Sequence, residues 1–413
     1  SNLRLLNLVS KRVIMDILIK PSQLEESAKI GAAIRHTIHE EPELGLYLPK
    51  TQEKIVKALE SFGVKNFSTF VGGNDVTGVV AVIEGNRPGR TIGLRADSDA
   101  LPLDEKTCAQ WQSKSEMKMH ACGHDGHVAT LLTLVHYLNQ HRDFAGKIVA
   151  VFQPGEEGYA GAKYMLEDGL VEKFGIEEFY ALHCEPSVDV GKVGFISSYA
   201  TANADVFKIK FTGKGGHGSR PHLTKDPLIA ACQCVLSLQT IVARNVDPSK
   251  SAVVSVGCVS AGEPSGSSVV PDHAYIVGTC RSFEPEVQDT LINRMQQVVD
   301  GTAQVFCMEG KLEYKKLYPA MFNNPKNVAE ARRLAEEVLG KDNVVTKERT
   351  MGGEDFSFML LAKPGCLFRL GMKDETHSAS VHNPYFDFND KAIATGAATL
   401  LSIALNRAAG QPL

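Results

Sequence analysis

The stretch DVFKIKF, residues 205–211, decides how this chain is divided. Phe207, Ile209 and Phe211 alternate with Lys208 and Lys210, so one face is buried and the other wet, as in a strand of an antiparallel sheet. Working downstream, apolar periodicity predicts a helix over 227–244, strands over 251–259 and 274–282, a helix over 285–306 and a strand over 311–318. With the opening strand that order is β-α-β-β-α-β, the ferredoxin-like arrangement. Upstream the pattern is different. The runs GVVAVIEG (78–85), TIGLRADSDALP (91–102), KIVAVFQPGEEG (147–158) and EFYALHCEP (178–186) are continuously apolar before their polar ends, which suits strands covered on both faces in a parallel α/β sheet. Helical and short-strand signals resume after 319 and end in a helix that Asn389 or Asp390 would cap. The chain therefore reads as an α/β domain with a mainly parallel sheet, 15–201 and 319–413, split by an inserted ferredoxin-like domain over 202–318.

Composition agrees with a two-domain globular chain. At 413 residues it exceeds the usual size of one hydrophobic core, and 43% hydrophobic and 22% charged residues are ordinary values. A net charge of -4 offers nothing to nucleic acid. No window reads as a bilayer span, and the opening 20 residues lack the apolar centre and small-residue cleavage site of a signal peptide, so no membrane partner and a cytoplasmic location are expected. Residues before Met15 are read as a leader or an addition and left out of the fold. Nine scattered cysteines suggest reduced thiols in a reducing compartment.

One stretch concentrates chemistry. MHACGHDGHVATLL (119–132) carries Cys122, His124, Asp125 and His127 immediately before an apolar-periodic helix that Asp125 is expected to cap. Cys122 and His124, two residues apart around Gly123 in the turn before that helix, can converge on one point, and a thiolate with an imidazole suits zinc, nickel or another borderline ion. In FQPGEEG, Glu156 and Glu157 follow a buried strand, where adjacent carboxylates repel unless a cation or a shared proton intervenes. His183 ends the next strand, His382 stands in a loop near the C-terminus, and Asp97 in RADSDA is either a strand-end cap or a carboxylate that orients a ligand.

The motifs RHTIHEEPELG, GLRADSDALP, MHACGHDGH, FQPGEEG, ALHCEP, GGHGSRPH, GGEDF and HNPYFDF, in this order and spacing, resemble the amidohydrolase branch of the aminoacylase and carboxypeptidase clan of dinuclear metallohydrolases. The resemblance runs from about residue 24 to the end. It implies two divalent ions, zinc, manganese, nickel or cobalt, held by Cys122, His124, Glu157, His183 and His382. It implies hydrolysis of the amide of N-acyl amino acids, of N-acetyl or N-benzoyl type, by a metal-activated water with Glu156 as general base. The inserted domain becomes a lid that mediates dimerisation, in a homodimer or homotetramer, and His217 on it reaches the metal site, often from the partner subunit, to stabilise the oxyanion. Arg281 matches the position that binds the substrate carboxylate, and Glu354 matches a loop near the site, where the resemblance implies a role either behind the metal ligands or on a substrate amine. Ser268 stands where related chains carry Asn, a shorter group with one hydroxyl in place of an amide, which bears on substrate choice.

Three other readings compete. A Cys-His hydrolase with Cys122 as nucleophile leaves Glu156, Glu157, His183 and His382 without work. A dipeptidase or carboxypeptidase of the same clan is disfavoured by cysteine and histidine where those relatives resemble an aspartate-bridged site. A non-catalytic metal-binding relative would have kept the base for nothing.

Overall fold

The computed structural model describes residues 16–413; the segment set apart as a leader, and Met15, lie outside the described residues. The first strands in chain order are β1 (Phe67–Thr69), β2 (Val79–Glu84), β3 (Arg87–Asp97), β4 (Ala145–Gln153), β5 (Glu178–Asp189), β6 (Val193–Phe195) and β7 (Ser198–Thr201). Then come β8 (Ala204–Thr212), β9 (Gly216–His217), β10 (Ala252–Ala261), β11 (Val269–Val270), β12 (His273–Ser282), β13 (Glu309–Tyr318), β14 (Met321–Asn323), β15 (Val344–Thr346) and β16 (Gly365–Lys373). The helices are α1 (Glu25–His39), α2 (Pro49–Ser61), α3 (His124–Gln140), α4 (Gly161–Glu167), α5 (Leu170–Phe174), α6 (Pro227–Asn245), α7 (Pro285–Val305), α8 (Pro325–Leu339), α9 (Phe356–Ala362) and α10 (Ile393–Ala408).

An eight-stranded sheet runs β1-β2-β4-β3-β5-β16-β6-β15. Its centre, β4-β3-β5-β16, is parallel, whereas β2 pairs with β4 antiparallel. The apolar run of β2 was expected in a parallel setting; burial on both faces records covering, not direction. Alternate residues face opposite layers. Leu94, Ile148 and Tyr180 pack with Leu131 of α3 and Leu401 of α10, while Val149 and Phe179 pack with Met165, Phe356 and Met359 on the other side. From β3 the chain crosses by α3 to β4 on one side and then by α4 and α5 to β5 on the other. That reversal opens a crevice beyond the carboxyl end of β3.

The four-stranded sheet β10-β12-β8-β13 is antiparallel throughout, as the alternation in β8 required. Phe207, Ile209 and Phe211 face α6 and α7 through Leu238, Leu291 and Val299, and the order is ferredoxin-like. Contrary to the sequence reading, α6 is long and apolar enough by composition to cross a bilayer. Its buried positions, Ala230, Ala231, Cys234, Leu238 and Ile241, form the stripe that covers the lid sheet, so the same apolar content builds a core.

The start of α3 also corrects the expectation. Gly123, not Asp125, is the capping position, in the left-handed region at φ 77°, and His124 is already the first helical residue. A side chain at Gly123 would be strained by that φ and would lie 2.7 Å from the Cys184 sulfur; at Gly126 a Cβ would lie 2.2 Å from the Phe388 ring. Asp125 instead points into a buried cluster. Its Oδ2 accepts from His39 Nδ1 at 2.8 Å and from Arg35 at 3.0 Å, and Arg35 also reaches Asp387 and Asp390. His39 Nε2 donates to Glu105 at 3.1 Å. Burial works against charge on His39, but Asp125 and Glu105 outweigh it and push its pKa up to about 9.

A folded-state value above the ordinary 6.5 means that His39 contributes fully below about pH 6.5 and that its contribution is lost as pH rises through about 9. The melting-temperature gap between the native chain and His39→Gln should therefore be widest in mild acid and narrow through that window. A gap that ignores pH would show that His39 is not charged in the fold.

Candidate metal centre

The crevice beyond β3 collects side chains from distant segments. Cys122 and His124 arrive at the left-handed turn that opens α3, Glu156 and Glu157 on the turn after β4, and His183 on β5. His382 arrives on a loop whose backbone N–H donates to Ala121 O at 2.7 Å. His382 holds φ 61°, in the left-handed region that a residue with a side chain adopts only where surrounding contacts impose it. Cys122 Sγ lies 3.4 Å from His183 Nε2, and Glu157 Oε1 lies 3.3 Å from His382 Nε2 and 3.9 Å from His124 Nε2.

These donors form overlapping groups. Cys122, His124 and His183 have ligand atoms within 4.8 Å of one another, and so do Cys122, Glu157 and His382. Cys122 is common to both. Both ring nitrogens of His124 and Oε1 of Glu157 are buried without a hydrogen bond of good geometry, their nearest polar neighbours being Asp99 at 3.3 Å, Asp97 at 3.6 Å and His382 at 3.3 Å, and such atoms are costly unless a cation meets them. The donor set therefore fits divalent ions: five side chains converge, two of them, His124 and Glu157, with unsatisfied atoms, and their mix of sulfur, nitrogen and oxygen suits borderline metals.

Surrounding groups set the orientation of each ring. His183 Nδ1 sits 2.8 Å from the Cys184 carbonyl, so it carries the proton and leaves the Nε2 lone pair facing Cys122. His127 Nε2 accepts the Cys184 N–H at 2.9 Å, so its Nδ1 carries the proton and donates to Asp97 Oδ1 at 2.5 Å. Asp97, expected to orient a ligand, is fully buried, takes Arg95 at 2.8 Å through Oδ2, and lies 3.6 Å from His124 Nε2. Burial opposes its charge, yet Arg95 and the two histidines hold its carboxyl well below the usual range. Asp99, which the sequence reading passed over, accepts the backbone N–H groups of both Glu156 and Glu157 at 3.0 Å and lies 3.3 Å from His124 Nδ1. Its spacing from Asp97 in RADSDA, two residues at a strand end, was the available signal.

Ionisation separates the paired carboxylates. Burial, then the charges of Glu354 and Glu157, push the Glu156 carboxyl well above its ordinary value. Burial raises Glu157 too, but His382 and His124 outweigh it and hold Glu157 low. Burial also pushes the Cys122 thiol up, which disfavours a free thiolate nucleophile. On His124 burial opposes charge, but Asp97, Asp99 and Glu157 prevail and push it up to about 10. Glu354 lies beneath the site, its Oε1 accepting from Arg95 at 3.0 Å and from the Phe356 N–H at 2.9 Å. That places it among buried partners of Arg95.

The lid residues have partners of their own. His217 is exposed on β9, opposite Val269 of β11, and its ring accepts from Ser219 N–H at 3.1 Å. Ser268 adjoins the same ribbon through its carbonyl, which takes the Gly218 N–H at 2.7 Å. Arg281 is half-buried on β12, with Nη1 3.3 Å from the Cys280 carbonyl. The sequence gives His127 no separate role and carries no signal for Arg95 or for Tyr318, whose phenol bonds the loop carrying Glu156.

The chain is similar to known proteins over most of its length. The description of peptidase family M20/M25/M40 matches residues 93–406. The chain is 38% identical over 373 residues to the hippurate hydrolase of Campylobacter jejuni, covering 90% of this chain and 95% of that one. It is 37% identical over 347 residues to the N-acetyldiaminopimelate deacetylase of Priestia megaterium, covering 83% and 89%. Among solved structures, the Bacillus subtilis YXEP protein, described as a dinuclear metal binding peptidase from the M20 family, superposes with a TM-score of 0.81 at 30% identity over 93% of this chain and 99% of that one. With most of its length matched and the donor cluster at the strand ends of a split α/β fold, this chain belongs to peptidase family M20/M25/M40.

Proposed function

We propose that this chain is an amidohydrolase that cleaves the amide bond of N-acyl amino acids, of N-acetyl or N-benzoyl type, to a free amino acid and a carboxylic acid. The observation that carries the reading is the pair of donor groups sharing Cys122, set beside a carboxyl with a raised pKa. Cys122, His124, Glu157, His183 and His382 would hold two divalent ions, of zinc, manganese, nickel or cobalt. Such ions supply a nucleophile at neutral pH and polarise the scissile carbonyl. Glu157, kept anionic by His382 and His124, is the member of the pair suited to a ligand. Glu156, buried and raised, is the member suited to take a proton from the attacking water and deliver it to the leaving nitrogen. Asp99 fixes the backbone of both at once, so neither can move without the other. The names of relatives, hippurate hydrolase, N-acetyldiaminopimelate deacetylase and N-acetyl-L-cysteine deacetylase, support this substrate class.

The division 15–201, 202–318 and 319–413 belongs to the same proposal, supported by a lid core separate from those of the large sheet. Assembly as a homodimer or homotetramer through the lid is supported by β10, an edge strand with exposed Val259, and by exposed Ile229 and Leu236 on α6. In that assembly His217 acts on the partner's site, next to Ser268 and Arg281 as contacts for the substrate. Glu354 acts through Arg95 and the charge it adds near Glu156, in addition to the substrate-amine role the resemblance allows. Nine free cysteines support a reducing, cytoplasmic location.

Two experiments check this reading. A panel of N-acetyl and N-benzoyl amino acids, assayed with each metal in turn, should yield free amino acid, and chelation should abolish the activity. Glu156→Gln should lower kcat by about 10²-fold or more while retaining metal. No cleavage of any panel member, or an undiminished rate in Glu156→Gln, would reject the mechanism. The second mixes Glu156→Gln chains with His217→Ala chains, each inactive alone. If His217 works in the partner's site, hybrid assemblies contain one intact site and activity returns; action within one chain leaves the mixture dead.

A further inference from the structure

The loop between β4 and α4 carries the base in an unusual backbone. Gly155 and Gly158 have φ of 70° and 90°, and Ala160, which has a side chain, sits at φ 56°. A non-glycine residue in the left-handed region persists only where other contacts impose it. Two side chains from outside the loop bond its backbone around the two glutamates. One is Asp99, already described as the acceptor for the N–H groups of Glu156 and Glu157. The other is Tyr318, whose phenol donates to the Glu156 carbonyl at 2.6 Å and accepts the Ala160 N–H at 3.0 Å.

Tyr318 belongs to the lid's last strand. It is the final residue of β13, where the chain leaves the lid sheet for the large one, and it pairs with Ala204, where the chain entered. The register with β8 slips between Lys316 and Tyr318, a bulge that re-aims the side chain at this point. The ring is buried and meets Phe358 edge-on at a centroid distance of 6.2 Å. One phenol thus satisfies a donor and an acceptor on either side of Glu157 while its backbone is part of the lid hinge. Removing only the oxygen leaves the ring packed and both backbone groups without this partner.

We propose that Tyr318 is the positioning residue through which the lid hinge holds the Glu156–Ala160 loop, and with it the Glu156 carboxyl, in register with the reacting amide. The kinetic half of this inference rests on the hydrolase reading; the structural half does not.

The test uses the full-length, metal-loaded chain and Tyr318→Phe, with Phe358→Leu as a control that disturbs the same packing and keeps the phenol. Hydrogen exchange in residues 155–161 should rise in Tyr318→Phe and stay near native in the control. With an N-benzoyl or N-acetyl amino acid, kcat should fall about tenfold or more while KM moves less than about twofold, because a misplaced base costs turnover and not binding. Unchanged exchange in the loop overturns the inference. Raised exchange with native kcat, or a loss confined to KM, also overturns it. Should the native chain cleave no N-acyl amino acid, the hydrolase reading is what fails, and loop exchange then decides alone whether Tyr318 is the tether.

Discussion

The buried carboxylate of Asp97 is the constraint on which the site depends. It ends β3, neutralises Arg95 and fixes the tautomer of His127, which in turn receives the Cys184 N–H on β5. One anion therefore ties a helix and two strands together at the point where His124 and His183 must face each other. Buried ions of this kind are expensive to desolvate and are retained only with near-complete pairing. Arg95 is paired in this way, reaching Gln153, Asp97, Glu354 and Asp355 at once.

The adjacent glutamates show how environment divides labour between identical side chains. Glu157 looks toward imidazoles and stays ionised; Glu156 looks toward other carboxylates and is pushed up. Nothing in their own chemistry distinguishes them. The backbone turn after β4 aims them differently, and that turn is held from beneath by Asp99 and from the lid side by Tyr318. The same logic disposes of a thiol nucleophile: Cys122 is surrounded by acids and burial, both of which oppose a free thiolate and favour one neutralised by a cation.

The lid contributes architecture rather than ligands within one chain. Its sheet buries a single face against α6 and α7, leaving β10 at the edge beside apolar α6 residues, and it carries His217, Ser268 and Arg281 on or beside its strands and the neighbouring ribbon. The chain crosses between the two sheets beside Tyr318.

Much was legible from residue order alone. Alternation in 205–211 required an antiparallel lid, continuous apolar runs required covered strands, and the spacing of Cys122, His124, Glu156 and Glu157 after those strands located the crevice, because period and burial are local properties of a chain. Asn389 was legible as a cap, although it caps the short 3-10 turn Asp390–Ala392 that runs into α10, whose own capping position is Ala392. What the tertiary structure decided is whatever depends on a partner distant in sequence. Strand direction in β2, Asp125 turned inward to Arg35 and His39 instead of capping α3, and the roles of Asp99, His127 and Tyr318 arise only once far segments meet. A lone aspartate or tyrosine carries no pattern of its own, and its function is fixed by the polar atoms that burial forces it to satisfy.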